Sequence, residues 1–189
     1  MTGQLVIISG PSGVGKSTIC GELLKRLDNA YLSVSTTSRE KKAGERDGRE
    51  YRFVGRDEFE RQIAAGNFLE YAEVFGNFYG TPKDKTQAAL KQGKVVILEI
   101  DVQGALQIKE QYPDAMLIFI LPPKHTELQR RINDRGRDEE KEIEKRLAGA
   151  GVEIAAAWQH YKYIVINDDL EQAVNEIIEI INSRRIKDD

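Results

Sequence analysis

One segment constrains this chain more than any other: Gly10-Pro11-Ser12-Gly13-Val14-Gly15-Lys16-Ser17 follows directly on the apolar, β-branched run Gln4 to Ser9. The spacing G-x-x-x-x-G-K-[ST] between a buried strand and a helix makes a loop whose backbone N–H groups wrap a phosphate. The helix, expected from about Lys16 to Leu27, aims the partial positive charge of its N-terminus at the same anion. Lys16 can bridge the β- and γ-phosphates of a nucleoside triphosphate, and Ser17 can bind Mg²⁺. Binding of ATP or GTP follows, but not what the nucleotide drives.

Further apolar runs occur at Val95 to Ile100, Met116 to Leu121 and Tyr163 to Ile166, each followed by residues at helical spacing. Strands alternating with helices imply an α/β fold whose parallel sheet is covered on both faces. The last helix has Asp168 and Asp169 as caps and an apolar stripe of Leu170, Ala173, Val174, Ile177, Ile178 and Ile181. Two regions break the alternation. Residues from about Ser35 to Pro82 mix polar turns, a short run YRFV, a helix-like DEFERQIAAG and the aromatic-rich FLEYAEVFGNFYG, and read as a small inserted α+β lobe. Residues from about His125 to Ala150 are dense in charge and read as an exposed helical arm.

At 189 residues the chain fits one domain without disulfides or structural metals. With 28 Lys and Arg against 31 Asp and Glu, the net charge of −3 gives no positive field for a nucleic-acid polymer. The lone Cys20 has no internal disulfide partner, and His125 and His160 are too separated for a zinc site. No stretch approaches the ~18 apolar residues of a membrane span, and no cationic flank precedes a long apolar run at the N-terminus. No membrane partner is expected, and the cytoplasm is the expected compartment.

The loop Ser35-Thr36-Thr37-Ser38-Arg39-Glu40-Lys41-Lys42-Ala43-Gly44-Glu45, followed by Tyr51 and by Tyr79-Gly80-Thr81-Pro82, gathers hydroxyls and cations suited to a second, non-transferred phosphate. Glu99 and Asp101, two apart on VVILEID, are expected to project to one face at the carboxyl end of a buried strand, where open α/β sheets bind ligands. Arg131 and Arg135 are four apart and share a helix face, with Arg146 arriving from the next helix. Arg130 suits ordinary ion pairs with Glu139, Glu140 or Glu142.

Taken together and in order, STTSREKKAGE, GREYRFV, FLEYAEVFGNFYGTP, VVILEIDVQG, RRINDRG with KRL, and VINDDL resemble the bacterial-type guanylate kinases, within the P-loop nucleoside monophosphate kinase superfamily. The resemblance covers nearly the whole chain. It implies a three-layer P-loop NTPase fold in a single domain: a core of residues 1–34, 83–124 and 151–189, a GMP-binding lobe of about 35–82 and a helical lid of about 125–150. It implies transfer of the γ-phosphoryl of ATP to GMP, with Mg²⁺ as cofactor and Ser17 as its ligand.

By the same resemblance, Gly10, Pro11, Ser12, Gly13, Val14, Gly15, Lys16, Ser17 and Thr18 hold ATP, and Asn167 lies beside its adenine. Ser35, Glu70 and Thr81 face the guanine edge, and Arg39, Tyr51 and Tyr79 hold the GMP phosphate. Lys42 stands where the family usually has arginine, so the charge is kept and the planar fork lost. Glu99 lies near the acceptor, and Asp101 supports the Mg²⁺ and arginine network. Arg131, Arg135 and Arg146 become lid arginines that, with Lys16, Arg39 and Asp101, make up the catalytic set. Two alternatives remain at this level: a related P-loop kinase for another small phosphorylated acceptor, and a guanylate-kinase-like interaction module without catalysis. The sequence leaves the oligomeric state open.

Overall fold

In chain order the elements are β1 (Gln4–Ser9), α1 (Lys16–Arg26), β2 (Ala30–Ser33), β3 (Thr36–Thr37), β4 (Arg52–Phe53), α2 (Arg56–Ala64), β5 (Phe68–Val74), β6 (Asn77–Pro82) and α3 (Lys83–Lys91). They continue with β7 (Val95–Glu99), α4 (Val102–Gln111), β8 (Met116–Leu121), α5 (His125–Asp134), α6 (Glu140–His160), β9 (Tyr163–Ile166) and α7 (Leu170–Asp188). This computed structural model describes the backbone of residues 3–134 and 140–188, with the side chains of residues 125, 131–146 and 184–188 outside the described set.

The main sheet is parallel, in the order β2-β7-β1-β8-β9. Its strands run apolar without interruption because both faces are covered. Val6, Ile8, Ile97 and Ile118 pack on one face against Ile19 and Leu23 of α1 and Val174 and Ile177 of α7. Leu5, Ile7, Leu98 and Phe119 pack on the other against Ala105 and Ile108 of α4 and Ala157 of α6. α7 starts as its sequence signals require, the Gln172 amide donating to Asp169 Oδ1 at 2.8 Å.

This layering opens the cleft. β1 and β7 are hydrogen-bonded neighbours in register Ile8 to Glu99. β1 continues into α1 on one face and β7 into α4 on the other, so the two connections diverge at the carboxyl ends of adjacent strands, where doubly wound sheets bind ligands.

Residues between β2 and α3 form a second sheet, β4-β3-β6-β5, with β6 antiparallel to both neighbours. α2 seals it through Phe59, whose ring stacks on Phe68 at 4.5 Å and Phe78 at 5.3 Å between centroids.

Two expectations need correction. β7 ends at Glu99, and Asp101 is not on the strand: it is the N-cap of α4, accepting from the Gln103 amide at 3.1 Å and the Gly104 amide at 3.2 Å. A short side-chain acceptor there satisfies amides that open the helix, which outweighs one more strand residue. The arm is also not wholly exposed, because Leu128 of α5 and Ala150 of α6 are buried in the cluster beneath α1 and α7.

Candidate active site

The cleft between the two sheets has a volume of about 490 Å³. One wall is the loop between β1 and α1, which contributes Gly10, Ser12, Gly13, Gly15, Lys16 and Ser17. Its close turns demand glycine: at Gly10 (φ 150°) a Cβ would lie 2.5 Å from the Ile120 carbonyl oxygen, and at Gly15 (φ 105°) 2.5 Å from Asn167 Nδ2. Asn167 is buried and donates to the Val14 carbonyl at 2.7 Å, bracing the loop from the end of β9. Lys16 Nζ rests on the loop's own Gly10 and Pro11 carbonyls at 2.5 and 3.2 Å.

At the base of this wall Ser17 Oγ donates to Glu99 Oε1 at 2.7 Å. A hydroxyl that gives its proton to a carboxylate keeps its lone pairs free, and the two hard oxygens of Ser17 and Glu99 suit Mg²⁺, which takes its other ligands from phosphates and water. The residues present therefore fit that ion.

The second sheet supplies the opposite wall. Glu70, on β5, is 3% exposed and accepts from Thr81 Oγ1 at 2.6 Å across the β5–β6 pair, with Ser35 also buried at the cleft. Burial pushes the Glu70 pKa up to about 7; the charge of Asp101 adds to the rise, and the Thr81 hydroxyl opposes it. Carboxylate Oε2 fills the space where Gly104 has no side chain, since a Cβ there would lie 2.3 Å away. The same glycine thus admits Glu70 and gives its amide to Asp101.

Farther along, Arg39 Nη2 pairs with Glu45 Oε1 at 2.8 Å, and Glu45 Oε2 accepts from the Lys42 amide at 2.8 Å. Burial works against the Glu45 charge, but the guanidinium and the amide hold its carboxyl below the usual carboxylate range. The Arg39 guanidinium lies 5.5 Å from the Tyr51 ring centroid, and the Tyr51 and Tyr79 rings meet edge-on at 5.7 Å. Burial, reinforced by the charge of Glu99, raises the Tyr51 pKa, so the phenol remains a hydrogen-bond donor.

The structure thus brings to one cleft the phosphate loop, Ser35, Arg39, Lys42, Tyr51, Glu70, Tyr79, Glu99 and Asp101, with Thr81 directly behind Glu70. Thr18 lies in the first turn of α1 beside Ser17 and is exposed. Arg131 lies on α5 and Arg146 on α6, with side chains outside the described set, and Arg135 lies outside the described residues. Arg130 pairs with Glu127 at 2.6 Å, and the side chains of Glu139, Glu140 and Glu142 lie outside the described set.

Sequence reasoning missed four residues. Glu45, Arg49 and Gly104 sit inside segments that carry the family resemblance, yet their contacts are set only by folding. Glu153, on α6, looks in sequence like one more acid on a helix. In the fold it lines the cleft, where burial pushes its pKa up to about 7, Asp101 adding to the rise and Lys16 opposing it.

The family model for guanylate kinase matches residues 2–184. The chain is 49% identical to a guanylate kinase of Carboxydothermus hydrogenoformans over 186 residues, covering 98% of this chain and 90% of that one. It is 48% identical to a guanylate kinase of Clostridioides difficile, with coverage of 98% and 90%. The crystal structure of guanylate kinase from Anaplasma phagocytophilum superposes with a TM-score of 0.81 at 36% identity, covering 97% of this chain and 86% of that chain.

Proposed function

This chain belongs to the guanylate kinase family, and from that premise we propose how its cleft moves the γ-phosphoryl of ATP onto GMP, giving ADP and GDP. The glycine loop wraps the ATP phosphates, and Lys16 leaves the Gly10 and Pro11 carbonyls to bridge the β- and γ-phosphates. Thr18 completes the loop's hold on ATP, and Asn167 combines bracing of Val14 with a place beside the adenine. Ser17, with Glu99 behind it, would hold Mg²⁺, which would supply positive charge to neutralise the ATP phosphates.

GMP lies against the second sheet. Guanine presents N1–H and its 2-amino group to Glu70, with Ser35, Thr81 and Asp101 completing the base site. Its phosphate meets Arg39, Lys42, Tyr51 and Tyr79. Arg131, Arg135 and Arg146 come from the arm to neutralise charge on the transferring group, since phosphoryl transfer depends on positioning and electrostatics. Residues 35–82 act as the acceptor lobe and 125–150 as the lid, closing on the remaining core to exclude water. Among the described residues no helix is long and apolar enough to cross a membrane, and we place the protein in the cytoplasm.

One observation carries this reading: the buried Glu70 carboxylate, held by Thr81, shares a cleft with the phosphate loop. An acceptor with two adjacent donors fits it, whereas adenine brings an N1 lone pair against the charge. A site built on buried hydrogen bonds can reject the wrong analogue by roughly 10⁴-fold. ADP production measured across a panel of nucleoside monophosphates is expected to show strong preference for GMP. Equal kcat/KM for AMP and GMP would defeat the guanine assignment.

A further inference from the structure

We propose that Arg49 supplies a second guanidinium for the GMP phosphate, on the side of the site where Lys42 offers only a point charge. The inference rests on the kinase reading above. Arg49 lies in a turn fixed against the phosphate end of the cleft: the Gly48 amide donates to the Tyr51 carbonyl at 2.8 Å, and Asp47 bridges to Tyr51. Tyr51 lines the cleft, and so does Arg49.

The guanidinium is oriented. Its Nε donates to Glu50 Oε1, and Glu50 Oε2 is itself held by the Arg46 amide at 2.7 Å. Its Nη2 reaches back over the loop to the Gly44 carbonyl at a long 3.4 Å, next to Glu45, which anchors Arg39. Nη1 makes no hydrogen bond among the described residues, so one edge of the fork is free for a ligand. By contrast, Arg39 already spends Nη1 on the Glu40 carbonyl at 2.7 Å and Nη2 on Glu45.

Charge points the same way. Among the described cleft-lining residues at this end, Arg39, Lys42 and Arg49 outnumber Glu45 and Glu50 by one, an excess that vanishes without Arg49. A phosphate monoester carrying close to two negative charges needs such an excess, and a planar fork grips it with paired hydrogen bonds that an ammonium cannot make.

The test compares GMP with guanosine, which shares the base site and lacks the phosphate. Arg49→Ala is expected to raise the Kd and KM for GMP about fivefold to tenfold, while guanosine affinity, KM for ATP and kcat stay within about twofold, as for loss of one charge-assisted contact at a partly open rim. Arg49→Lys should recover part of the loss, and Arg46→Ala, on the same turn but off the cleft, should leave GMP affinity at the wild-type level. Unchanged GMP affinity in Arg49→Ala overturns the proposal. Parallel losses for GMP and guanosine overturn it too, because they would mean a disturbed lobe. A wild type that does not phosphorylate GMP would instead refute the kinase reading.

Discussion

Replacing Glu70 by Gln should stabilise the empty protein at neutral and alkaline pH while damaging its choice of substrate. Glu70 is 3% exposed, and its pKa stands at about 7 against an ordinary 4.5. In the unfolded chain the carboxyl ionises first, so below about pH 4.5 it is neutral in both states and imposes no penalty. As the pH rises through about 7, the folded state is forced to carry a buried charge, and the stability present at low pH is lost. At ~1.4 kcal/mol per pH unit the full penalty is about 3.5 kcal/mol, of which about 2.5 kcal/mol develops between roughly pH 5 and pH 8.

Glutamine keeps the shape and the acceptor for Thr81, and its amide can donate toward Asp101, which lies beside the same Gly104. Urea unfolding of wild type and Glu70→Gln should therefore show a gap in favour of the variant that widens with pH, equivalent to a Tm difference of about 5–10 °C near pH 8. A gap that is constant with pH, or a variant less stable than wild type at pH 8, would refute the argument. The same variant should narrow the kcat/KM ratio of GMP to AMP, because a rotated amide can donate to adenine N1.

Lys16→Ala should lower kcat by orders of magnitude with little change in unfolding, since among the described residues its ammonium hydrogen-bonds the Gly10 and Pro11 carbonyls of its own loop; near-wild-type turnover in a folded variant would remove Lys16 from the mechanism. Gly104→Ala should raise the KM for GMP about tenfold or more with the KM for ATP little changed, because the new methyl would take the place of Glu70 Oε2, 2.3 Å from its position. Its stability should change less, as the helix gains up to about 1 kcal/mol from alanine; an unaltered KM for GMP would show that Glu70 is not held where the base binds.

The sequence made the main sheet legible because a doubly covered parallel sheet writes its strands as apolar runs: β1, β8 and β9 begin and end where those runs do. The second sheet was legible only as a region. β3 and β4 are two residues each, too short for any period, and Thr36–Thr37 become a strand by pairing with Tyr79–Gly80, more than forty residues away. The site divides in the same way. Lys16 and Ser17 are local, set by a loop between adjacent elements, whereas the pKa of the Glu70 carboxyl is raised by burial and by Asp101 and opposed by Thr81, and the group is seated against Gly104, contacts that come from two other segments of the chain. Asp101 misled because two-residue alternation holds only while the strand lasts, and helix capping ended it.

What remained hidden clusters where local preferences are violated. Phe75 adopts φ 50° in the tight turn between β5 and β6, a left-handed conformation that a bulky side chain rarely takes, and it stays 48% exposed at the mouth of the cleft. Opposite it Gly149 occupies the middle of α6, where glycine is disfavoured by about 1 kcal/mol relative to alanine, and a Cβ there would lie 3.5 Å from the Phe75 ring. Each of these residues is a poor choice for its own element. Together they leave room for, or reach across, a cleft that must admit two nucleotides, so the departures from local rule mark the site as clearly as the glycine-lysine motif does.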